Sequence, residues 1–240
     1  MTAKRALITG GSGAIGAAIA RRLAKEGHEV IIHANRNLER ALALVDELKN
    51  SVKASAISFD IADPSATQAA LDTLLQDGPI QILVNNAGVH DDAVMPGMAQ
   101  EQWRRVIDIN LNGFFNVTQP LLMPMIRTRW GRIISISSVA AIAGNRGQTN
   151  YAAAKAGLHG ASRSLSLELA SRQITVNVVA PGIISSEMSA QAFPKEMIEQ
   201  LVPCKRAGSA DEVAALVQFL SSSDAGYITG QVISINGGMI

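Results

Sequence analysis

The sequence predicts an α/β fold, a parallel sheet with helices packed on both faces. Three observations carry that expectation. Short apolar runs recur along the chain, rich in Val and Ile and without polar alternation, as strands buried on both faces require. Helix-length segments separate most of these runs, which makes the chain a series of strand–helix–strand units. The first run also opens directly into a glycine-rich turn and then a helix, a setting in which backbone N–H groups can close around a phosphate.

Strands are expected at Ala6–Thr9, Val30–Ala34, Ala54–Phe59, Ile82–Asn85, Arg132–Ser137, Thr175–Ala180 and Gln231–Ile235. Helices are expected at Ala14–Glu26, Leu38–Lys49, Ser65–Gln76, Glu101–Arg129, Tyr151–Arg172 and Asp211–Ser221. Pro120 and Pro124 fall inside the fourth of these helices, and each should bend or end it. No Pro/Gly/Ser linker, repeat or low-complexity tract divides the 240 residues, so one domain over residues 1–240 is expected.

The totals exclude several classes. A net charge of +1 gives no global field to draw nucleic acid or an anionic membrane. No apolar run approaches the roughly 18 residues of a membrane span. The opening MTAKRALITGGSG is too short in apolar residues for a secretion signal. The single cysteine, Cys204, suits a reducing compartment, and a cytoplasmic protein is expected. The histidines form no i,i+4 pair, so no metal site is expected, and His90-Asp91-Asp92 reads as a solvated loop.

The candidate site residues follow in chain order. The turn Thr9-Gly10-Gly11-Ser12-Gly13-Ala14-Ile15-Gly16 has the spacing Gly10-x-x-x-Ala14-x-Gly16, suited to a dinucleotide's pyrophosphate or simply to a tight turn. The second strand ends in Asn35-Arg36, where an acidic residue would take the ribose hydroxyl of NAD. An arginine there can accept the 2′-phosphate of NADP or stand as a solvated charge. Asp60, after the third strand, can face an adenine amino group or cap the next helix, although Asp63 is better placed to cap. Asn86-Ala87-Gly88 ends the fourth strand beside a cofactor, or as a plain turn. Asn110, among apolar neighbours, must be hydrogen-bonded if buried, and either satisfies the backbone or holds a water.

Ser138, Tyr151 and Lys155 outline a proton-transfer site. Tyr151 and Lys155 share a helix face at i,i+4 spacing, roughly 5–6 Å apart at Cβ. An ammonium so close should pull the phenol below its ordinary value of about 10. Pro181-Gly182-Ile183-Ile184 leaves the sixth strand at the sheet edge where α/β ligands bind. Residues Ser185–Val202 read as a substrate flap or an amphipathic surface helix.

Taken together, Thr9–Gly16, Asp60, Asn86-Ala87-Gly88, Asn110, Ser138, Tyr151, Lys155 and Pro181-Gly182 resemble the short-chain dehydrogenase/reductase family over the full chain. Within the family, GNRGQTNYAAAKAGL, ITVNVVAPG and YITGQVISINGG are most similar to the 3-oxoacyl-acyl-carrier-protein reductases. The resemblance implies a doubly wound, Rossmann-like sandwich with a seven-stranded parallel sheet, three helices on each face, and a homotetramer. It implies an NADPH/NADP+-dependent oxidoreductase that reduces 3-oxoacyl groups on acyl carrier protein in fatty acid biosynthesis. A reductase of 3-oxoacyl-CoA or of small carbonyls is the alternative, and a non-catalytic cofactor sensor is a remoter one.

Carried over by position, Tyr151 is the general acid, Lys155 its partner and a nicotinamide-ribose ligand, Ser138 the carbonyl holder and Asn110 the water holder. Gly10, Ser12, Gly13, Ile15 and Gly16 line the phosphates, and Asn35 and Arg36 the 2′-phosphate. Asp60 and Ile61 face adenine, and Asn86, Ala87 and Gly88 the adjacent ribose. Pro181, Gly182, Ile184 and Ser186 hold the carboxamide side. Arg129 and Arg172, part of a basic group with Arg127 and Arg132, dock the carrier protein or are solvated charges. Ala14 stands where the family usually has a glycine, and Gly13 where NADP-preferring members often have arginine, which leaves Arg36 as the main phosphate contact.

Overall fold

The computed structural model describes residues 3–185 and 193–240. The chain runs β1 (Arg5–Ile8), α1 (Ala14–Lys25), β2 (Glu29–Ala34), α2 (Leu38–Leu48), β3 (Ala54–Ser58), α3 (Pro64–Gln76) and β4 (Ile82–Asn85). It continues through α4 (Gln100–Ile107), α5 (Gly113–Thr128), β5 (Gly131–Ile136), α6 (Ala140–Ala143), α7 (Thr149–Leu169), β6 (Ile174–Pro181), α8 (Lys195–Leu201), α9 (Ala210–Ser221) and β7 (Val232–Ile235). Each expected strand and long helix forms within a few residues of its expected bounds.

The seven strands make one sheet in the order β3-β2-β1-β4-β5-β6-β7, and every pairing is parallel. The apolar runs are explained by what covers them. Leu44 and Leu48 of α2, Ile19 and Leu23 of α1, and Val213, Val217 and Leu220 of α9 pack on one face. Leu71 of α3, Val117, Leu121 and Met125 of α5, and Leu169 of α7 pack on the other. Strands lying between two such layers have no face that needs polar residues.

The strand order reverses at β1, which pairs with β2 on one side (Ala6 with Val30) and β4 on the other (Ala6 with Ile82). The connections after β1 and β4 therefore leave in opposite directions, and a crevice opens beyond the carboxyl ends of these strands. The glycine turn and Asn86-Ala87-Gly88 both lie at that crevice.

Neither Pro120 nor Pro124 ends its helix. Helix α5 continues through both. The two prolines are four apart, so the missing N–H groups fall on one stripe and the remaining intrahelical bonds carry the turn. The long helix also changes winding upstream, in a π-helical turn at Asp108–Asn112. Of the stretch read as flap or surface helix, Lys195–Leu201 is helical. Ser186 and Met188 lie outside the described residues.

Candidate active site

The glycine turn has a shape that only small residues allow. Gly10 has φ +61°, and a Cβ there would come within 2.8 Å of Ala87 Cα. A Cβ on Gly16 would meet Gly10 O at 2.5 Å. Thr9 joins this turn to β4: its hydroxyl accepts from the N–H groups of Asn86 (2.9 Å) and Ala87 (3.0 Å) and donates to Val84 O (3.3 Å). The Asn86 amide donates to Thr9 O and Gly10 O at 2.9 and 3.0 Å. Helix α1 starts on Gly13 with no side chain bonded to its first N–H groups. Helices α3 and α9 are closed there by Asp63 and Ser209. The first turn of α1 thus keeps donors and positive potential for an anion.

A cleft of about 440 Å³ runs from this turn to the catalytic candidates. Gly10, Ser12, Gly13, Ile15, Gly16, Asn86, Ala87, Gly88, Ser138, Tyr151, Lys155, Pro181, Gly182 and Ile184 all line it. The backbone beyond β6 is largely committed. Pro181 O accepts from Val139 N, Gly182 N donates to Ile235 O, Ile183 O accepts from Gly208 N, and Ser185 N donates to Gly208 O. Among the described residues, neither the N–H nor the C=O of Ile184 has a backbone hydrogen bond in this stretch.

Lys155 and Tyr151 stand one turn apart on α7, with the Lys155 Nζ 5.7 Å from the phenol ring centroid. Lys155 is 4% exposed, and its Nζ donates to Ile136 O at 2.8 Å. Burial pushes its pKa down to about 8. The expectation that Lys155 lowers the Tyr151 pKa is corrected. Burial raises it, a hydrogen bond from Ser138 pulls it back, and the Asp92 carboxylate raises it further. Withdrawal of the phenol from water dominates.

Asn110 is 3% exposed within the π-helical turn. Its amide nitrogen donates to Val89 O (2.7 Å) and Val106 O (2.8 Å), while its Oδ1 is buried with no partner among the described residues. A Cβ on Gly88 would lie 2.6 Å from that oxygen and 3.0 Å from Lys155 Nζ, so all three groups converge. A second cavity of about 10 Å³, close to the size of one water, is walled by Asn110, Lys155 and Thr9 among others.

The remaining candidates lie outside the cleft, although Ile61 lines the small cavity beside Asn110 and Lys155. Asn35 and Arg36 are exposed after β2, and Arg36 makes no ion pair among the described residues. The Asp60 carboxylate accepts from Ala62 N at 2.9 Å, while Asp63 takes the cap of α3. Ile61 buries its side chain against Gly113 rather than in the cleft. Arg129 and Arg172 sit where β5 and β6 begin, at the opposite edge of the sheet, and Arg129 donates to Ser171 O at 3.3 Å. Arg132 is buried and donates to Ser222 O and Gly131 O, which removes it from any surface group.

His90 lies in an exposed loop, as expected, and its ring also lines the cleft. It meets the Tyr151 ring edge-on at 6.5 Å, and its Nδ1 is 3.2 Å from Asp92 Oδ1. The signal available was its position two residues past Gly88. Val89 and Ser137 also line the cleft and were not singled out.

Comparison with known proteins fits this geometry. Residues 4–197 match the family model for short chain dehydrogenase. The 3-oxoacyl-[acyl-carrier-protein] reductase FabG of Aggregatibacter actinomycetemcomitans is 43% identical over 239 residues, 97% of this chain and 98% of that protein. The reductase of the same name from Aquifex aeolicus is 45% identical, over 98% of this chain and 97% of its own. Nodulation protein G of a Rhizobium species is 43% identical over 100% of this chain and 98% of its own. The chain belongs to the short-chain dehydrogenase family, oxidoreductases that use a nicotinamide cofactor.

Proposed function

We propose that the chain reduces 3-oxoacyl groups on acyl carrier protein to 3-hydroxyacyl groups with NADPH, in fatty acid biosynthesis. The observation that carries the reading is one continuous cleft. It begins at an uncapped helix N-terminus and ends at Ser138, Tyr151 and Lys155. The printed names of relatives aligned over nearly the whole chain support the substrate class.

The residues fit a dinucleotide. Glycines admit the backbone close to a pyrophosphate, and the free pair on Ile184 suits a carboxamide, which needs both a donor and an acceptor. When bound, the reduced nicotinamide supplies the hydride. The Ser138 hydroxyl holds the ketone oxygen. The Tyr151 phenol gives its proton to that oxygen as charge develops there, and donors of this kind contribute about 3–4 kcal/mol each. A raised phenol pKa suits this direction, because reduction needs the protonated form. Lys155 holds its ammonium behind the phenol, and Asn110 directs its unpaired Oδ1 to a water in the small cavity. Arg36 takes the 2′-phosphate.

We propose that Arg129 and Arg172 dock the carrier protein. The six residues of β5 span about 20 Å. A carrier docked at that edge lies about one strand length, roughly 20 Å, from the cleft, and we propose a homotetramer. No helix among the described residues is long and apolar enough to cross a membrane, in keeping with a proposed cytoplasmic location.

The test is NADPH oxidation with acetoacetyl-acyl-carrier-protein and with acetoacetyl-CoA at matched concentration, for the natural chain and for Tyr151→Phe. A much higher kcat/KM for the carrier-bound substrate, lost in Tyr151→Phe, is expected. Equal or higher efficiency on the CoA ester would overturn the carrier assignment, and undiminished turnover in Tyr151→Phe would overturn the proton donor.

A further inference from the structure

His33, next to the last residue of β2, lies directly behind the glycine turn and is 1% exposed. Its ring is held on three sides. Its Nδ1 accepts from the Gly10 backbone N–H at 3.2 Å. Its Nε2 lies 2.9 Å from Phe59 O, a carbonyl that can only accept. The Phe59 ring lies against the imidazole with centroids 4.2 Å apart and planes tilted by 47°. The two contacts demand one form of the ring, neutral with its proton on Nε2. The His33 carbonyl also accepts from Gly11 N at 2.8 Å. One residue thus takes two consecutive N–H groups of the turn and points them back into the protein.

We propose that His33 is a positioning residue for the dinucleotide, its neutral imidazole fixing Gly10 in the left-handed shape that opens the turn to the pyrophosphate. This rests on the reading of the glycine turn as the cofactor site. The physical case is one of directions. Gly10 turns at φ +61°, and its N–H has no other partner among the described residues. If His33 leaves, a buried donor is orphaned and the turn loses the contact that defines its first residue. If His33 gains a proton at Nδ1, donor faces donor, with the same result. The ring's surroundings oppose that proton: burial lowers the pKa from 6.5, against the Phe59 carbonyl and the nearby Asp60 carboxylate, which raise it. No other charged group acting on the ring is found among the described residues. Affinity for the cofactor should therefore weaken as pH falls below 6.5, through the lowered pKa of His33.

The test is the Kd of NADPH and of NADH, measured by fluorescence between about pH 5 and pH 8, for the natural chain, His33→Leu and His33→Asn. NADH controls for titration of the 2′-phosphate. His33→Leu removes the acceptor and should weaken both cofactors about tenfold at neutral pH, the scale of one hydrogen bond. His33→Asn places an oxygen near the former Nδ1 and should restore neutral-pH affinity without the loss in acid. Thermal melts confirm that each variant is folded. Identical pH profiles for the natural chain and His33→Asn would overturn the inference, as would unchanged affinity in folded His33→Leu. A natural chain that binds neither cofactor at any pH would remove the underlying reading and this inference with it.

Discussion

Replacing Gly88 with alanine tests the convergence at the centre of the site. The added methyl would sit 2.6 Å from Asn110 Oδ1 and 3.0 Å from Lys155 Nζ. Relief to an ordinary contact of 3.4 Å moves the amide oxygen by about 0.8 Å, the difference of the two distances, and the ammonium by about 0.4 Å. Neither group is free to drift, because the Asn110 amide is bonded to Val89 O and Val106 O and the Lys155 Nζ to Ile136 O. The strain should cost about 1–3 kcal/mol of stability, typical of one surplus carbon in a packed site. Displacements approaching 1 Å in catalytic groups cost on the order of 100-fold in rate. The expected outcome is kcat reduced about 100-fold, a modestly lowered Tm and a raised cofactor Kd, since Gly88 and Lys155 both line the cleft. Steady-state kinetics with an acetoacetyl thioester, NADPH titration and a thermal melt measure the three quantities. A kcat within about twofold of the natural value would refute the claim that Asn110 and Lys155 must hold these positions.

Three further outcomes follow from other features. The buried ammonium of Lys155 is a stability cost: its fall from 10.5 to about 8 corresponds to about 3 kcal/mol, which loss of the Ile136 hydrogen bond on replacement partly offsets. Lys155→Met should lose turnover yet gain about 1–2 kcal/mol in denaturant melts at neutral pH. Because the unfolded chain keeps this proton up to 10.5, the gain should be full below pH 8 and shrink as pH rises beyond it; a variant less stable than the natural chain at neutral pH would count against this. Gly160 lies inside α7 with nothing within 4 Å of a built Cβ, so Gly160→Ala should stabilise by about 0.5–1 kcal/mol with unchanged kinetics, read from Tm and kcat. Arg36→Asp should raise the KM for NADPH about tenfold or more while leaving NADH within about twofold; equal effects on the two would remove Arg36 as the phosphate contact.

The sheet was legible because its signal is local. Val30–Ala34 and Thr175–Ala180 are apolar without alternation, and that pattern has few uses other than a strand covered twice. The spacing of Tyr151 and Lys155 was legible for the same reason, since i,i+4 on a helix is a local fact. Their protonation was not. Its direction depends on how much water reaches the phenol and on where the Lys155 Nζ points, and neither is written in the spacing. Arg132 shows the same limit: beside Arg127 and Arg129 in sequence it looks like surface charge, yet its strand carries it inside, where carbonyls and the Trp130 ring take it up. The turn at Asp108–Asn112 was hidden because a change of winding leaves composition unchanged. His33 was read only as the end of a strand; its partners come from residues 23 and 26 positions away.

The central position of β1 has a consequence for how the chain is made. Arg5–Ile8 finds β2 early, but its other partner, β4, begins 77 residues after β1 does, at Ile82. During synthesis at roughly 5–20 residues per second, β1 waits about 4–15 seconds for β4 to emerge. Through that interval one side of a largely apolar strand offers unpaired N–H and C=O groups to any extended segment nearby. The nascent β1–β2–β3 half is therefore the stage at which chaperone capture or mispairing is expected. The Thr9 hydroxyl, which receives both N–H groups of the arriving Asn86-Ala87, is the latch that ends it.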